Sequence, residues 1–214
     1  MSLFDDIRQR CTPLQPEPTG VEPVLRDLGR IRAVLFDIYG TLVISAASDP
    51  TAATIERIAV VYECRVNPVW AMPGAADLLG KLRERGLAQG IISNAQFYTP
   101  LLFPVLLDAD LGRLGVSADL CWFSYAHGHG KPDFWLYHHA AAALRHHGVA
   151  PHQALYVGND MRNDIWPAAE LGFRTALFAG DARSLRWRED HPQAARVTPD
   201  LIVTELAQIA DCLA

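Results

Sequence analysis

The sequence predicts an α/β fold, a doubly wound, mostly parallel sheet with helices on both faces. Three observations carry that reading. Short, mainly apolar runs, Ala33 to Phe36, Leu87 to Ile92 and Ala154 to Val157, read as strands buried on both sides. Segments with apolar residues at helical spacing lie between them, so strands and helices alternate. Each run leads into a polar group, and open sheets of this kind bind ligands beyond the carboxyl ends of their strands.

Length and composition set the frame. A chain of 214 residues suffices for one full core with a small insertion. A net charge of −5 gives no sign of a nucleic-acid surface. Cys11, Cys64, Cys121 and Cys212 are scattered, which argues against a zinc site or a disulfide framework and suits a reducing cytosol. The sequence holds no apolar run of about 18 residues or more and no basic-then-apolar leader. The expectation is a soluble cytoplasmic protein with neither a membrane nor a nucleic-acid partner.

Residues 1–30 read as an arm. A short helix is expected over residues 2–12; Pro13, Pro16, Pro18 and Gly20 then break the chain, and a second short helix is expected near Pro23 to Gly29. After the first strand, Gly40 permits a sharp turn. Ser48-Asp49-Pro50 has the pattern of a helix start, and Ile55, Ile58, Ala59, Tyr62 and Val66 would share one face until Asn67-Pro68. Pro73-Gly74 opens another helix, with Ala75, Leu78, Leu79 and Leu82 inward and Gly86 as its stop. Beyond the next strand, Pro100 and Pro104 should keep the apolar segment short and irregular. Leu120 to Tyr125 is a strand candidate, and Asp133 to His147 a helix offering Trp135, Leu136, His139, Ala143 and Leu144 to the sheet. The strand Ala154 to Val157 is followed by a helix through Leu171, a strand near Thr175 to Phe178, and a charged loop over 181–196. An edge strand Leu201 to Val203 and a helix Glu205 to Leu213 close the chain.

The strand ends can be taken together. Asp37, Ser93, Lys131 and the group Asn159, Asp160 and Asp164 each follow a strand or its loop, so all can converge on one edge. Such a set has a clear chemical use. Carboxylates hold a hard cation such as Mg²⁺, which prefers oxygen ligands. The cation and the lysine neutralise a phosphoryl group, and the serine hydroxyl bonds one of its oxygens. Asp37 can then attack phosphorus in line and form an aspartyl-phosphate that water hydrolyses.

From about residue 31 to the carboxyl terminus the chain resembles the haloacid dehalogenase-like hydrolase superfamily. The first motif of that family, Asp-x-Asp-Gly-Thr-Leu, is matched by Asp37-Ile38-Tyr39-Gly40-Thr41-Leu42 except at its third position. The second, a strand ending in Ser or Thr, is matched by Ile91-Ile92-Ser93-Asn94, and the lysine motif by Lys131-Pro132. The acidic motif is matched less cleanly by Gly158 to Asp164. The resemblance implies a Rossmann-like core, Asp37 as nucleophile, and Tyr39, Thr41, Ser93, Asn94 and Lys131 as its catalytic companions. It also implies Mg²⁺ held by Asp37, the Tyr39 carbonyl and the acidic motif, with a small phosphorylated molecule as substrate. Within that motif either Asn159 or Asp160 can be counted as the direct ligand; Asp160 is favoured for its anionic oxygen, and Asp164 would bind a metal water or hold Lys131.

Two departures matter. Phosphatases of the family carry an Asp where Tyr39 stands, and a phenol with an ordinary pKa of about 10 is a poor base near neutrality. The family's 2-haloacid dehalogenases, which need no metal, have Tyr there but Ser and Asn in place of Asn159 and Asp160. The second departure is the cap, here a reduced insertion at about 44–72 within a core spanning 31–214. A short lid implies an open site, a larger substrate or a homodimer that completes it. The leading expectation is a Mg²⁺-dependent phosphomonoester hydrolase. The alternatives are a metal-independent dehalogenase and a binding protein that has lost turnover.

Other features carry less. His127 or His129 could replace the missing proton carrier, but loop histidines are more often surface residues. The pairs His138/His139 and His146/His147 diverge on a helix and should not share a metal. Trp122, Phe123 and Trp135 are expected in the core, Arg183, Arg186 and Arg188 on a solvated face, and Gly128-His129-Gly130 is no nucleotide loop.

Overall fold

The computed structural model describes residues 5, 7, 8, 11, 13–45 and 67–213. The expected helix over 48–66, which carries most of the cap insertion, lies outside the described residues.

Six parallel strands form the main sheet. They are β1 (Ala33–Phe36), β4 (Ala88–Ser93), β5 (Val116–Phe123), β6 (Ala154–Gly158), β7 (Arg174–Phe178) and β8 (Leu201–Val203), in the order β5-β4-β1-β6-β7-β8. The first strand is central. Its backbone pairs with β4 on one side and β6 on the other, and all four of its residues are buried. Alternation along the strand divides the core. Val34 and Phe36 join the side lined by Leu78, Leu79 and Leu82; Ala33 and Leu35 join the side lined by Leu136, Ala140 and Leu144. That is the two-layered cover the apolar runs require.

Helix α1 (Ala75–Glu84) buries Ala75, Leu78, Leu79 and Leu82, the face read from the sequence. Helix α4 (Phe134–His146) begins with the Asp133 side chain accepting from the Trp135 N–H. It buries Leu136, Tyr137, Ala140, Ala141 and Leu144, so the helix is turned slightly from the expected face and Trp135, His139 and Ala143 lie at its margin. The segment expected to be irregular is a helix, α2 (Thr99–Leu106). Pro100 falls in the first turn, where its missing N–H costs nothing, and burial of Leu102 and Phe103 offsets the one bond lost at Pro104. Between β5 and α4 lies the short helix α3 (Ser124–His127). The helical stretch after β6 is split into a wide turn, Met161–Ile165, and helix α5 (Trp166–Glu170). Helix α6 (Ala207–Asp211) ends the fold.

The arm differs from expectation. Pro23 to Gly29 contains no helix; Val24 instead pairs with Ile202, donating at 2.7 Å and accepting at 3.0 Å. Strand β8 is an open edge, and this pairing covers it. Long-range sheet pairing wins over local helical tendency here. Two further strands, β2 (Val43–Ser45) and β3 (Val69–Ala71), pair antiparallel and bracket the segment at about 44–72. No helix among the described residues is long and apolar enough to cross a membrane.

Candidate active site

Three parallel strands aim their carboxyl ends at one spot. Asp37 follows β1 and keeps the sheet pattern for one more residue, its N–H donating to the Val157 carbonyl at 2.9 Å. Gly40 then turns the chain at φ 84. A Cβ there would lie 2.5 Å from the Asn159 amide nitrogen, so only glycine lets the loop press against the end of β6. Ser93 ends β4 and donates from Oγ to Asp37 Oδ1 at 3.0 Å. Lys131 arrives on the loop before α4, with Nζ 2.6 Å from Asp37 Oδ1 and 2.6 Å from Asp164 Oδ1. Both donors fall on one oxygen of Asp37, and no described residue hydrogen-bonds Oδ2.

The lysine is held at its backbone as well as at its tip. Asn94 donates from Nδ2 to the Lys131 carbonyl at 3.0 Å and accepts from the Lys131 N–H at 2.6 Å. Asn94 was expected among the catalytic groups; the structure uses it as a two-point clamp that sets where the ammonium reaches. Beneath, Tyr156 accepts from Lys131 Nζ at 3.3 Å, while its hydroxyl lies 3.1 Å from both Asp164 Oδ1 and the Ile92 carbonyl. Tyr137 donates to the Asn163 carbonyl at 2.5 Å. Burial, reinforced by Asp164, pushes both phenols well above the ordinary tyrosine value, so they act as neutral donors.

Asp164 closes the set. Its Oδ2 accepts from the Asn159 and Asp160 N–H groups at 3.1 and 3.0 Å. Gly158 makes this possible, because a Cβ on it would lie 2.4 Å from Asp164 Cγ. Burial raises the Asp164 carboxyl to about 7; Lys131 opposes this, and Asp37 and Asp160 add to it. The lysine divides one charge between two carboxylates, so it does not cancel the burial of either. On Lys131 itself burial acts downward, but Asp164 and Asp37 outweigh it and hold the ammonium above the ordinary lysine value. A carboxyl raised on folding binds its proton more tightly in the native state. It therefore stabilises fully below the ordinary carboxylate value, and that contribution is lost as pH rises through about 7. Asp164→Asn is expected to flatten the stability curve between about pH 4 and 7, removing a slope of at most about 1.4 kcal/mol per pH unit. Denaturant melts across that range check it; an unchanged slope would count against the raised carboxyl.

Asp160 lies differently from its neighbour. Its Oδ1 caps the following turn, accepting from the Arg162 and Asn163 N–H groups at 2.8 and 3.1 Å. Arg188 grips the same carboxylate, with Nη2 2.7 Å from Oδ2. Arg183 pairs with Asp181 at 3.2 Å. These arginines are therefore not the solvated face expected of them; they brace the loop beside β6. Asn159 donates from Nδ2 to the Ser184 carbonyl at 2.6 Å, and no described residue bonds its Oδ1. The Tyr39 and Thr99 hydroxyls share a hydrogen bond at 2.9 Å. The Thr41 hydroxyl is buried with no partner among the described residues. His129 bonds Asp133 at 2.8 Å, and His127 packs 5.1 Å from Trp122. Phe123 is buried as expected, whereas Trp122 and Trp135 are half-buried at 6.2 Å from each other.

The fit to Mg²⁺ can be judged from these donors. Asp160 is spent on its cap and Arg188, and Asp164 on Lys131 and two backbone amides. Among the described residues no three His, Cys, Asp or Glu side chains gather as a metal site. Asp37 Oδ2 and Asn159 Oδ1 are bonded by no described residue, and with the Tyr39 carbonyl they would make a set with one formal charge. Mg²⁺ is commonly held by one or two carboxylates completed by waters and substrate phosphate oxygens, so this set would seat it only with those added oxygens. Of the ligand set that the resemblance implied, Asp37 and Asn159 each keep an oxygen that no described residue bonds, while Asp160 and Asp164 are turned to Arg188 and Lys131.

A carboxylate held at the end of a central parallel strand by a serine and a buried lysine is an arrangement suited to nucleophilic hydrolysis. The family model for haloacid dehalogenase-like hydrolases matches residues 46–172, more than half the chain, and the protein belongs to that family. A phosphoserine phosphatase of Thermus thermophilus is 30% identical over 166 residues, 77% of this chain and 59% of that protein. A haloacid dehalogenase-like hydrolase domain-containing protein 3 of Xenopus laevis is 31% identical over 110 residues, 51% and 41% of the two chains. The chain thus spans about half the length of the curated relatives it matches. Among solved structures, a Deinococcus radiodurans family hydrolase with bound phosphate and sodium aligns with TM-score 0.63 at 18% identity, over 86% of this chain and 98% of its own. A dehalogenase with an intermediate complex aligns with TM-score 0.61 at 19% identity, over 87% and 98%. These structural likenesses speak for the fold.

Proposed function

We propose that Asp37 performs a metal-independent displacement at carbon on a small anionic substrate, of the kind that hydrolyses a 2-haloacid. Oδ2 attacks C2 of the substrate, an O–C bond forms, and the carbon–halogen bond breaks with the electron pair leaving on the halide. Water then attacks the ester carbonyl carbon and frees a 2-hydroxyacid, with one proton released to solvent. Lys131 and Ser93 hold Oδ1 throughout, which fixes the carboxylate plane and leaves Oδ2 toward the substrate. The observation that carries this reading is the commitment of Asp160 to Arg188 and of Asp164 to Lys131. With these charges paired, the rim has little negative excess to hold a divalent cation. Tyr39, where a phosphatase needs an acid and base, points the same way.

A second reading is phosphomonoester hydrolysis with Mg²⁺ through an aspartyl-phosphate. The 30% identity to a phosphoserine phosphatase favours it, as do the uncommitted oxygens of Asp37 and Asn159. If bound, the cation would neutralise phosphoryl charge between those two residues. Either substrate is a small molecule, and the scattered cysteines suit a reducing compartment such as the cytoplasm.

Halide release from 2-chloro and 2-bromo alkanoates, measured beside phosphate release from an aryl phosphate, separates the readings. Halide release that chelator leaves unchanged is expected. Phosphate release that requires Mg²⁺, with no halide released, would transfer the assignment to the second reading. Silence with both substrates would leave a binding protein built on this fold.

A further inference from the structure

The amino ends of the strands, at the pole opposite Asp37, hold a cavity of about 700 Å³. Arg30 and Arg32 precede β1, Arg85 precedes β4, and His147 follows α4; all four line it, and no acidic side chain does. Ile31 and Val149, both buried, give it an apolar floor. In a chain with a net charge of −5, four basic side chains on one concave surface stand against the average.

Two of the four have a partial structural explanation. Arg85 caps the end of α1 and His147 the end of α4, where a cation suits the helix dipole. That explanation does not extend to Arg30 and Arg32, which lie on an extended segment. Arg32 is steadied by donating from Nη1 to the Gly148 carbonyl at 2.5 Å, and Arg85 by donating to the Ala210 carbonyl at 2.7 Å. Each of these bonds uses one nitrogen of a guanidinium that carries five N–H donors, so the forks are anchored and keep donors to spare. Arg30 forms no hydrogen bond or ion pair with a described residue. His147 shares Asp119 at 2.7 Å, and that carboxylate is not part of the lining.

We propose that this cavity binds a small polyanion bearing two or more phosphate groups, at a site separate from the catalytic rim. Phosphate oxygens accept several N–H bonds at once, which suits three guanidinium forks lining one cavity better than a single carboxylate does. The volume lies in the range of small-molecule pockets. The inference does not depend on which reaction Asp37 performs.

Calorimetric titration of the full chain at about 150 mM salt, where surface charges are largely screened, tests it. The chain would carry Asp37→Asn, so that no ligand is consumed, and the probes are pyrophosphate, ATP and citrate. Saturable binding of pyrophosphate or ATP is expected, weakened roughly tenfold or more by Arg30→Glu, the scale of losing a charged hydrogen bond. Arg30 forms no hydrogen bond or ion pair with a described residue, so this variant should keep its fold. Ser93→Ala, at the other pole, should leave the affinity unchanged. Binding of pyrophosphate alone or of both phosphates supports a phosphate site; binding of ATP alone adds recognition of the nucleoside. No saturable binding overturns the proposal, as does binding that ignores Arg30→Glu or disappears with Ser93→Ala. Citrate bound as tightly as pyrophosphate overturns the assignment to phosphate.

Discussion

Asp37→Asn is expected to lower turnover by roughly 10⁴-fold or more, the scale of removing a nucleophile from its constellation, while the protein stays folded. The amide is nearly isosteric with the carboxylate. Its oxygen can still accept from Ser93 Oγ and Lys131 Nζ, now 3.0 and 2.6 Å from Asp37 Oδ1. What disappears is the anionic oxygen left over for attack. The charge balance also improves, because Lys131 then serves Asp164 alone. The variant should therefore melt no lower than the wild type, and the Asp164 carboxyl should fall from about 7 once the repulsion from Asp37 is gone. Steady-state kinetics and a thermal melt on the same preparation check both halves. Activity within tenfold of wild type would remove Asp37 from the chemistry under either reading of the substrate.

How much of this was legible in the sequence depended on how local the cause was. Strands β1, β4 and β6 announced themselves because a strand covered on both faces leaves a mainly apolar run, and the inward face of α1 because its spacing is periodic. The convergence of Asp37, Ser93, Lys131 and Asp164 followed from where those strands end. Tyr156 was missed. It sits inside the apolar run Ala154 to Val157, where an aromatic reads as core, and only the structure brings its hydroxyl under Lys131. A phenol in an otherwise aliphatic buried strand was the available signal. Arg188 was also missed, because its partner Asp160 lies 28 residues away across a loop without periodicity. The spacing of the acidic motif suggests a cation site, but it does not reveal that Asp160 pairs with Arg188 and Asp164 with Lys131. The arm pairs with β8 for a similar reason: ladder bonds to a distant edge leave no trace in composition.

Lys131→Met is expected to be the most damaging single change to stability, by about 3–5 kcal/mol, the scale of breaking a buried ion pair from one side. Lys131 and Asp164 are both nearly inaccessible, and Asp37 is buried with them. Methionine fits the volume of the aliphatic stem, so lost packing contributes little. The penalty comes from two carboxylates facing each other without a cation. That origin makes it dependent on pH. Without the ammonium the Asp164 carboxyl rises further, so the protein should recover stability as pH falls and it takes up its proton, and lose more as pH increases. Adding Asp164→Asn to Lys131→Met should return part of the loss, because one of the two unpaired charges is then gone. The two changes should be non-additive by more than about 0.5 kcal/mol, the threshold for residues that share a network. Urea melts of the two single variants and the double at pH 5 and pH 8 measure all of this. A penalty equal at both pH values, or additivity in the double variant, would mean that Lys131 supports the fold through its stem rather than its charge. The account of the rim as an internally neutralised carboxylate cluster would then fail.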